Sequence, residues 1–165
     1  MEASPRWTLP LLYAGQAQKE VFHNEALVRI DALLHGCAQS ADMTEVPELP
    51  EPGQCWIVAA GATGAWAGMD NAVACWSEGG WRFIAPRAGL RLLVADRNHP
   101  MIHDGAQWRD GAVREDGLYL DGQRVVGSRQ EAISVAVGGT VIDAEARTAI
   151  MEILSALRAH GLIEI

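Results

Sequence analysis

Positive charge is in short supply in this chain. Its 13 Lys and Arg residues face 21 Asp and Glu, giving a formal charge of −8. Such a balance repels phosphate backbones and anionic lipid and offers no basic patch for counterion release, so nucleic acid is not an expected partner. Long apolar runs are also missing. No stretch is long enough to span a bilayer, and the opening "MEASPRWTLPLLYAG" has neither a basic n-region with a long apolar core nor a small-residue cleavage site. The expectation is a soluble product, not exported by a signal peptide and with no membrane partner. Cysteine is sparse too: Cys37, Cys55 and Cys75 have no C-x-x-C metal spacing and cannot all pair within one chain. They read as reduced, semi-buried thiols.

What is present is ample for a core. A chain of 165 residues buries roughly two-thirds of the surface it exposes when unfolded, which suits one compact domain with appended helices. Residues 1–40 read as an N-terminal arm and helix. Trp7, Leu9, Leu11 and Leu12 make the arm too apolar for a solvated tail, so it should lie across its own domain or a neighbouring subunit. In "QAQKEVFHNEALVRIDALLHG", residues 16–36, Ala17, Val21, Asn24, Leu27, Ile30 and Leu34 recur at spacings of three and four, with Lys19, Glu25 and Arg29 on the other side. That is the pattern of an amphipathic helix, and Gly36 is placed to stop it. Residues 41–54 carry prolines 47, 50 and 52 and read as an extended linker that is neither helix nor central strand.

Residues 55–127 form the β-rich part. "CWIVAA" (55–60), "AVACW" (72–76), "WRFIA" (81–85), "LRLLVAD" (90–96), "MIHD" (101–104) and "LYLD" (118–121) are short runs of β-formers punctuated by Gly, Asn, Asp or Pro. A weak repeat aligns "WSEGGWR" (76–82), "HDGAQWR" (103–109) and "LDGQRVV" (120–126), placing Ser77, Asp104 and Asp121 at one position and Trp81, Trp108 and Val125 at another. This spacing suits hairpins: Asp or Ser caps a tight turn, Gly supplies positive φ, and the next large residue re-enters the sheet. The fold class is therefore α+β: an N-terminal amphipathic helix, a small antiparallel β-sandwich or barrel-like domain with Trp-rich hairpins, and a C-terminal helix.

The closing segment, 128–165, contains that second helix. Asp143 can cap it, Glu145 favours the positive end of its dipole, and Arg158, His160 and Gly161 mark its end. Ala146, Ile150, Ile153, Leu157 and His160 step by four, three, four and three, a heptad-like seam with Leu154 beside it. A helix this short needs a sheet, another helix or symmetry mates to pack against.

Chemistry is harder to find. Glu20, His23, Glu25 and Asp31 are the acids and bases of the first helix, but no third group is set to orient a general base, so no catalytic residue is assigned. Asn24 and Asp31 read instead as polar contacts on a packed helix, and a buried Asn on a helical seam fixes register at a cost in stability. Gln16 and Gln18 can alternatively satisfy backbone donors at the helix start. His99 and His103, with Asp96 and Asp104 nearby, are four apart as in a helical metal pair, but Pro100 separates them in a strand or turn context, so no metal or cofactor is expected. "AAGATGAWAG" lacks the Gly-Lys-Ser/Thr ending of a phosphate loop and reads as a turn anchored by Trp66. The six tryptophans can fill a small β-core or stack on sugar rings. Trp56 and Trp81 suit the core; Trp76 and Trp108, beside turns, are the candidate carbohydrate contacts.

The stretch "LPLLYAGQAQKEVFHNEALVRIDALL", followed by "GATGAWAG", "GGWRFIAPRAG" and "HDGAQW", resembles an alphaproteobacterial family of unknown-function domains encoded in prophage and gene transfer agent clusters. The closing "GGTVIDAEARTAIMEILSALRAHGLI" is similar to the helix that often follows that domain. The resemblance implies a virion protein, a head-spike or tail-fibre component that attaches a phage-like particle to host surface polysaccharide; it carries no catalytic residues. Lacking a repetitive β-stalk, the chain fits a spike or fibre base, the adaptor between a capsid vertex or tail protein and a fibre protein. On that reading it is a homo-oligomer, with Val21, Asn24, Leu27, Ile30, Asp31, Leu34, Ile150, Ile153 and Leu157 as candidate interface residues. The alternative is a carbohydrate-binding module that contacts capsule through Trp76 and Trp108. A cell-wall hydrolase comes last, because no carboxylate pair sits in a recognisable setting.

Overall fold

The computed structural model describes residues 3–12, 19–135, 137, 143–159 and 162–163. Among them are two helices and ten strands in three sheets, an α+β fold. The chain divides into two units, Met1–Gly111 and Ala112–Ile165.

In the first unit α1 (Lys19–Leu33) precedes β1 (Cys37–Ala38), β2 (Cys55–Ile57), β3 (Val73–Ser77), β4 (Gly80–Ile84), β5 (Arg91–Val94), β6 (His99–His103) and β7 (Trp108–Asp110). One sheet has the order β1-β5-β6-β7 and the other β2-β3-β4. All pairings are antiparallel except β1 with β5, which is parallel. The sheets are open and sandwich-like, so of the two forms expected from the strand pattern it is the sandwich that occurs and the closed barrel that does not.

Strand alternation creates two cores from one sheet. Cys55, Ile57, Val73 and Cys75 point to one side, where they meet Ala38, Leu92, Val94 and Met101 of the other sheet and Ala32 of α1. Trp56 and Ala74 point to the opposite side, where Val58, Ala62 and Trp66 join them under Met43, Trp76, Trp81 and Phe83. A three-stranded sheet so covered on both faces is apolar on both, which is why "CWIVAA" and "AVACW" read as unbroken hydrophobic runs.

Residues 36–44 tie the two sheets together. Leu93 N donates to Gly36 O at 3.0 Å and Asp96 N to Gln39 O at 3.3 Å. A few residues on, Gln39 N donates to Cys55 O at 2.7 Å, Ile57 N to Ser40 O at 3.0 Å and Ala59 N to Met43 O at 3.1 Å. The extended stretch after α1 thus satisfies the free edge of β2. Gly36 makes the crossing possible: a Cβ there would lie 2.1 Å from Leu92 Cδ2. The left-handed residue that ends α1 is His35, at φ 47°, one position before the glycine foreseen as its stop.

All three segments of the sequence repeat are hairpins. Asp104 Oδ1 accepts from Ala106 N and Gln107 N, both at 2.8 Å, and Ser77 Oγ donates to Gly80 O at 2.8 Å. Gly105 sits at φ 110°.

The second unit holds a meander, β8 (Val113–Arg114), β9 (Gly117–Leu120) and β10 (Gln123–Val126), and α2 (Ala144–Ala159). The β9–β10 turn places Asp121 at φ 49° and Gly122 at φ 77°, the two positive φ values of a two-residue hairpin. Gly117 is required where β9 begins, since a Cβ would lie 2.1 Å from Val126 O. Asp143 Oδ1 accepts from Ala146 N at 2.8 Å, the cap expected from the sequence. Behind α2, Gln130 N donates to Leu162 O at 2.9 Å, and Leu154 and Ile163 are buried. His160 and Gly161, and Gln16, Ala17 and Gln18 at the other helix, lie outside the described residues.

Candidate interaction surfaces

The N-terminal arm packs on its own helix through Asp31. This carboxylate is 1% exposed and accepts from Ser4 Oγ at 2.6 Å, Trp7 N at 2.7 Å and Arg6 N at 2.9 Å. Three donors are what a buried anion needs in place of water. The arm also closes the end of α1, whose last carbonyls lack helical partners. Arg6 Nη1 donates to Asp31 O at 2.7 Å and Ala32 O at 2.9 Å, Arg6 Nη2 to His35 O at 3.0 Å, and Trp7 Nε1 to Leu34 O at 3.0 Å. A guanidinium at a helix C-terminus also complements the dipole. Asn24 Nδ2 donates to Leu12 O and its Oδ1 accepts from Leu12 N, each at 2.9 Å. Asn24, put forward as a register-setter, and Asp31, put forward with it as a candidate interface residue, are therefore both bonded within their own chain.

This anchoring decides which face of α1 turns inward. Asp31 and Ala32 are buried and Asn24, Leu27 and Val28 half-buried, whereas Val21, Ile30 and Leu34 of the apolar line are 61%, 51% and 43% exposed, and Phe22 is 82% exposed. The same inversion occurs on α2. Leu154 is buried and Leu157 half-buried, while Ile150, Met151 and Ile153 are exposed. Each helix spends its inward face on few residues and leaves apolar ones in water.

The remaining acids and bases do not converge. Glu25 joins Arg82 at 2.9 Å and Arg29 at 3.2 Å. Burial pushes its carboxyl up, but the two guanidinium groups outweigh that and hold it below the ordinary carboxylate value. His23 is exposed, and Glu20 Oε2 is buried with no partner among the described residues. His99 and His103 stand at opposite ends of β6, about 13 Å apart at strand rise. His99 Nε2 lies 2.7 Å from Asp110 Oδ1, and His103 Nδ1 faces Gly105 N at 3.2 Å. Among the described residues no three His, Cys, Asp or Glu side chains gather as a metal would require. Asp104 is occupied as a turn cap, its carboxyl held well below the usual range by Gln107 N, Ala106 N and Arg109.

Four tryptophans share the outer face of β2-β3-β4. Trp81 is the hub, with ring centroids 4.9 Å from Trp76, 5.2 Å from Trp66 and 5.5 Å from Trp56, all tilted or edge-on. Trp66 is fully buried, the anchor its loop was expected to hold. Trp76 is half-buried, its ring in an edge-type contact with that of Trp81. Trp108 belongs to the other core, edge-on to His103 at 5.3 Å, with its N–H donated to Asn71 O at 2.9 Å. Neither candidate sugar contact stands free as an open platform.

Among the described residues, grooves open on the first unit. One, of about 510 Å³, is lined by Leu33, His35, Gly36, Arg91, Leu93 and Pro100; another, of about 390 Å³, by Met69, Asp70, Phe83, Ala85 and Pro86 among others. The first was invisible in the sequence, since it joins the end of α1 to the outer face of β5 and β6. The ring of Trp7 lies 5.9 Å from that of His35, one of that groove's lining residues.

These features define an α+β chain with a sandwich-like first unit, apolar residues exposed on the helix of each unit, and no converged acid–base group among the described residues. The chain belongs to the family described as "Protein of unknown function (DUF2793)", whose profile matches residues 23–109. No curated protein matches the chain. No helix among the described residues is long and apolar enough to cross a membrane.

Proposed function

We propose that the protein is a non-enzymatic structural component of a phage-like particle of the gene transfer agent or prophage type, an oligomeric head-spike or fibre base that helps attach the particle to host surface polysaccharide. The observation that carries this reading is the outward apolar residues of both helices: Val21, Phe22 and Ile30 on α1 with Leu34 just past its end, and Ile150, Met151 and Ile153 on α2. Exposed apolar side chains, where they gather, mark association sites in soluble proteins. An adaptor needs two such surfaces, and identical subunits joined through unlike patches close naturally into rings. The sequence likeness to prophage and gene transfer agent proteins supplies the setting, and the acidic charge accords with a partner that is neither DNA nor lipid.

Deleting the gene in a strain that makes such particles tests the proposal. The expected particles lack their spikes or fibres, still package DNA and bind less surface polysaccharide; particles of unchanged appearance and adhesion contradict it. The competing reading is a sugar-binding module, favoured by the partial exposure of Trp76 at the edge of the tryptophan cluster. Glycan binding by the purified chain that is lost in Trp76→Ala would support it; no binding by the wild type favours the adaptor.

A further inference from the structure

The buried thiols of the first core are placed for chemistry that neither the family nor the proposed role supplies. Cys55 on β2 lies directly opposite Cys75 on β3, and both side chains enter the same core. The kind of cross-strand pair they form follows from the bonds on either side. Trp76 N donates to Gln54 O and Val58 N to Ala72 O, both at 2.9 Å, so 54/76 and 58/72 are hydrogen-bonded positions. Alternation then makes 55/75 a non-hydrogen-bonded pair, the kind in which Cα atoms approach to about 4.5 Å. A disulfide spans Cα separations of about 4.4–6.8 Å, so this register accommodates one without moving the strands. Neither sulfur has a strong competing partner: Cys55 Sγ lies 3.6 Å from Gly53 O and Cys75 Sγ 3.8 Å from Trp76 O, long contacts with carbonyls.

We propose that Cys55 and Cys75 are a redox-addressable pair that closes into a cross-strand disulfide when the protein meets an external disulfide, stapling the β2–β3 hairpin and the Trp66 loop it encloses. The inference stands on strand register and is independent of the particle reading. The two thiols are unequal. The neighbouring thiol and burial push Cys55 up; that same neighbour, with help from Arg6 and Arg82, holds Cys75 below the ordinary thiol value against burial. Cys75, 2% exposed in the closed fold, becomes the attacking thiolate when the β2–β3 hairpin opens locally. It attacks one sulfur of the external disulfide and expels a thiolate, leaving a mixed disulfide on Cys75. The Cys55 thiolate then attacks Cys75 Sγ and expels the second. Two electrons pass from the protein to the external disulfide, and the two protons end on the released thiols. Cys37, half-exposed on β1, takes no part.

The test is exposure of the full folded chain to oxidised glutathione below its melting temperature, then unfolding, alkylation and peptide mass mapping. The expected products are a 55–75 crosslink with Cys37 alkylated, and a melting temperature raised by about 8 °C that returns on reduction. Cys37→Ser should behave like wild type, and Cys75→Ser should lose both the crosslink and the shift. Three alkylated cysteines, or a crosslink through Cys37, would overturn the proposal.

Discussion

The two units of the chain solve the burial problem in opposite ways. The first turns one three-stranded sheet into the partition between two cores, so that nearly every residue of β2 and β3 is buried. The second lays out a meander whose last strand is exposed at all four positions, with Val113, Leu120, Val125, Val135 and Val137 open to water and Leu154 of α2 and Ile163 buried. Such a contrast teaches where stability and association reside. A unit with two packed cores can stand on its own contacts, whereas one that leaves so many branched apolar residues outside gains from a partner. The family match, confined to residues 23–109, falls within the first unit.

Damage to the first unit should therefore be costly and damage to the second should register in association. The largest loss is expected from Trp66→Ala: a fully buried ring at the centre of the second core leaves a cavity, and urea denaturation should show destabilisation of about 4 kcal/mol. Asp31→Ala comes next. It strands Ser4 Oγ and the backbone N–H groups of Arg6 and Trp7, at about 3 kcal/mol, and the freed arm should become a site of proteolysis that wild type resists.

Asn24→Leu is the more discriminating substitution. If Asn24 acts through Leu12, stability falls by about 1–2 kcal/mol and oligomer mass does not change. A changed oligomer number at unchanged stability would instead restore the intersubunit role. The smallest effect is at Glu25. Its carboxyl is held below the ordinary value when folded, so its contribution is full above the unfolded value near 4.5 and is lost as pH falls through the lower folded one. Because the pair is a third exposed, Glu25→Gln should cost under about 1 kcal/mol, visible as a flatter acid limb in thermal melts.

The same contrast explains what was legible in the sequence. Six strands and three hairpin turns could be read because each is specified locally, by a short run of β-formers and a turn residue such as Asp104 or Gly122. The two-residue strand β1 could not, since "CA" at 37–38 becomes a strand only by pairing with Leu93 and Val94. Residues 41–54 read as a bare connection because the backbone bonds that begin them, such as Ala59 N to Met43 O, leave no mark in composition. Asp31 was singled out by type, but its partners Ser4, Arg6 and Trp7 lie 24 to 27 residues away, beyond any periodicity. That remote anchoring is also why Ile30 faces outward: the arm takes hold of Asp31 on the inward side of α1, and its neighbour Ile30, about a hundred degrees further round the helix, is left exposed.

Whether the outward faces of the helices are association surfaces is decided most directly by light scattering of the full chain at micromolar concentration, beside an Ile150→Asp, Ile153→Asp double variant. A mass of several chains for the wild type, falling in the variant while the melting temperature holds, is the expected result. A wild-type monomer would contradict it and leave both apolar faces without a role.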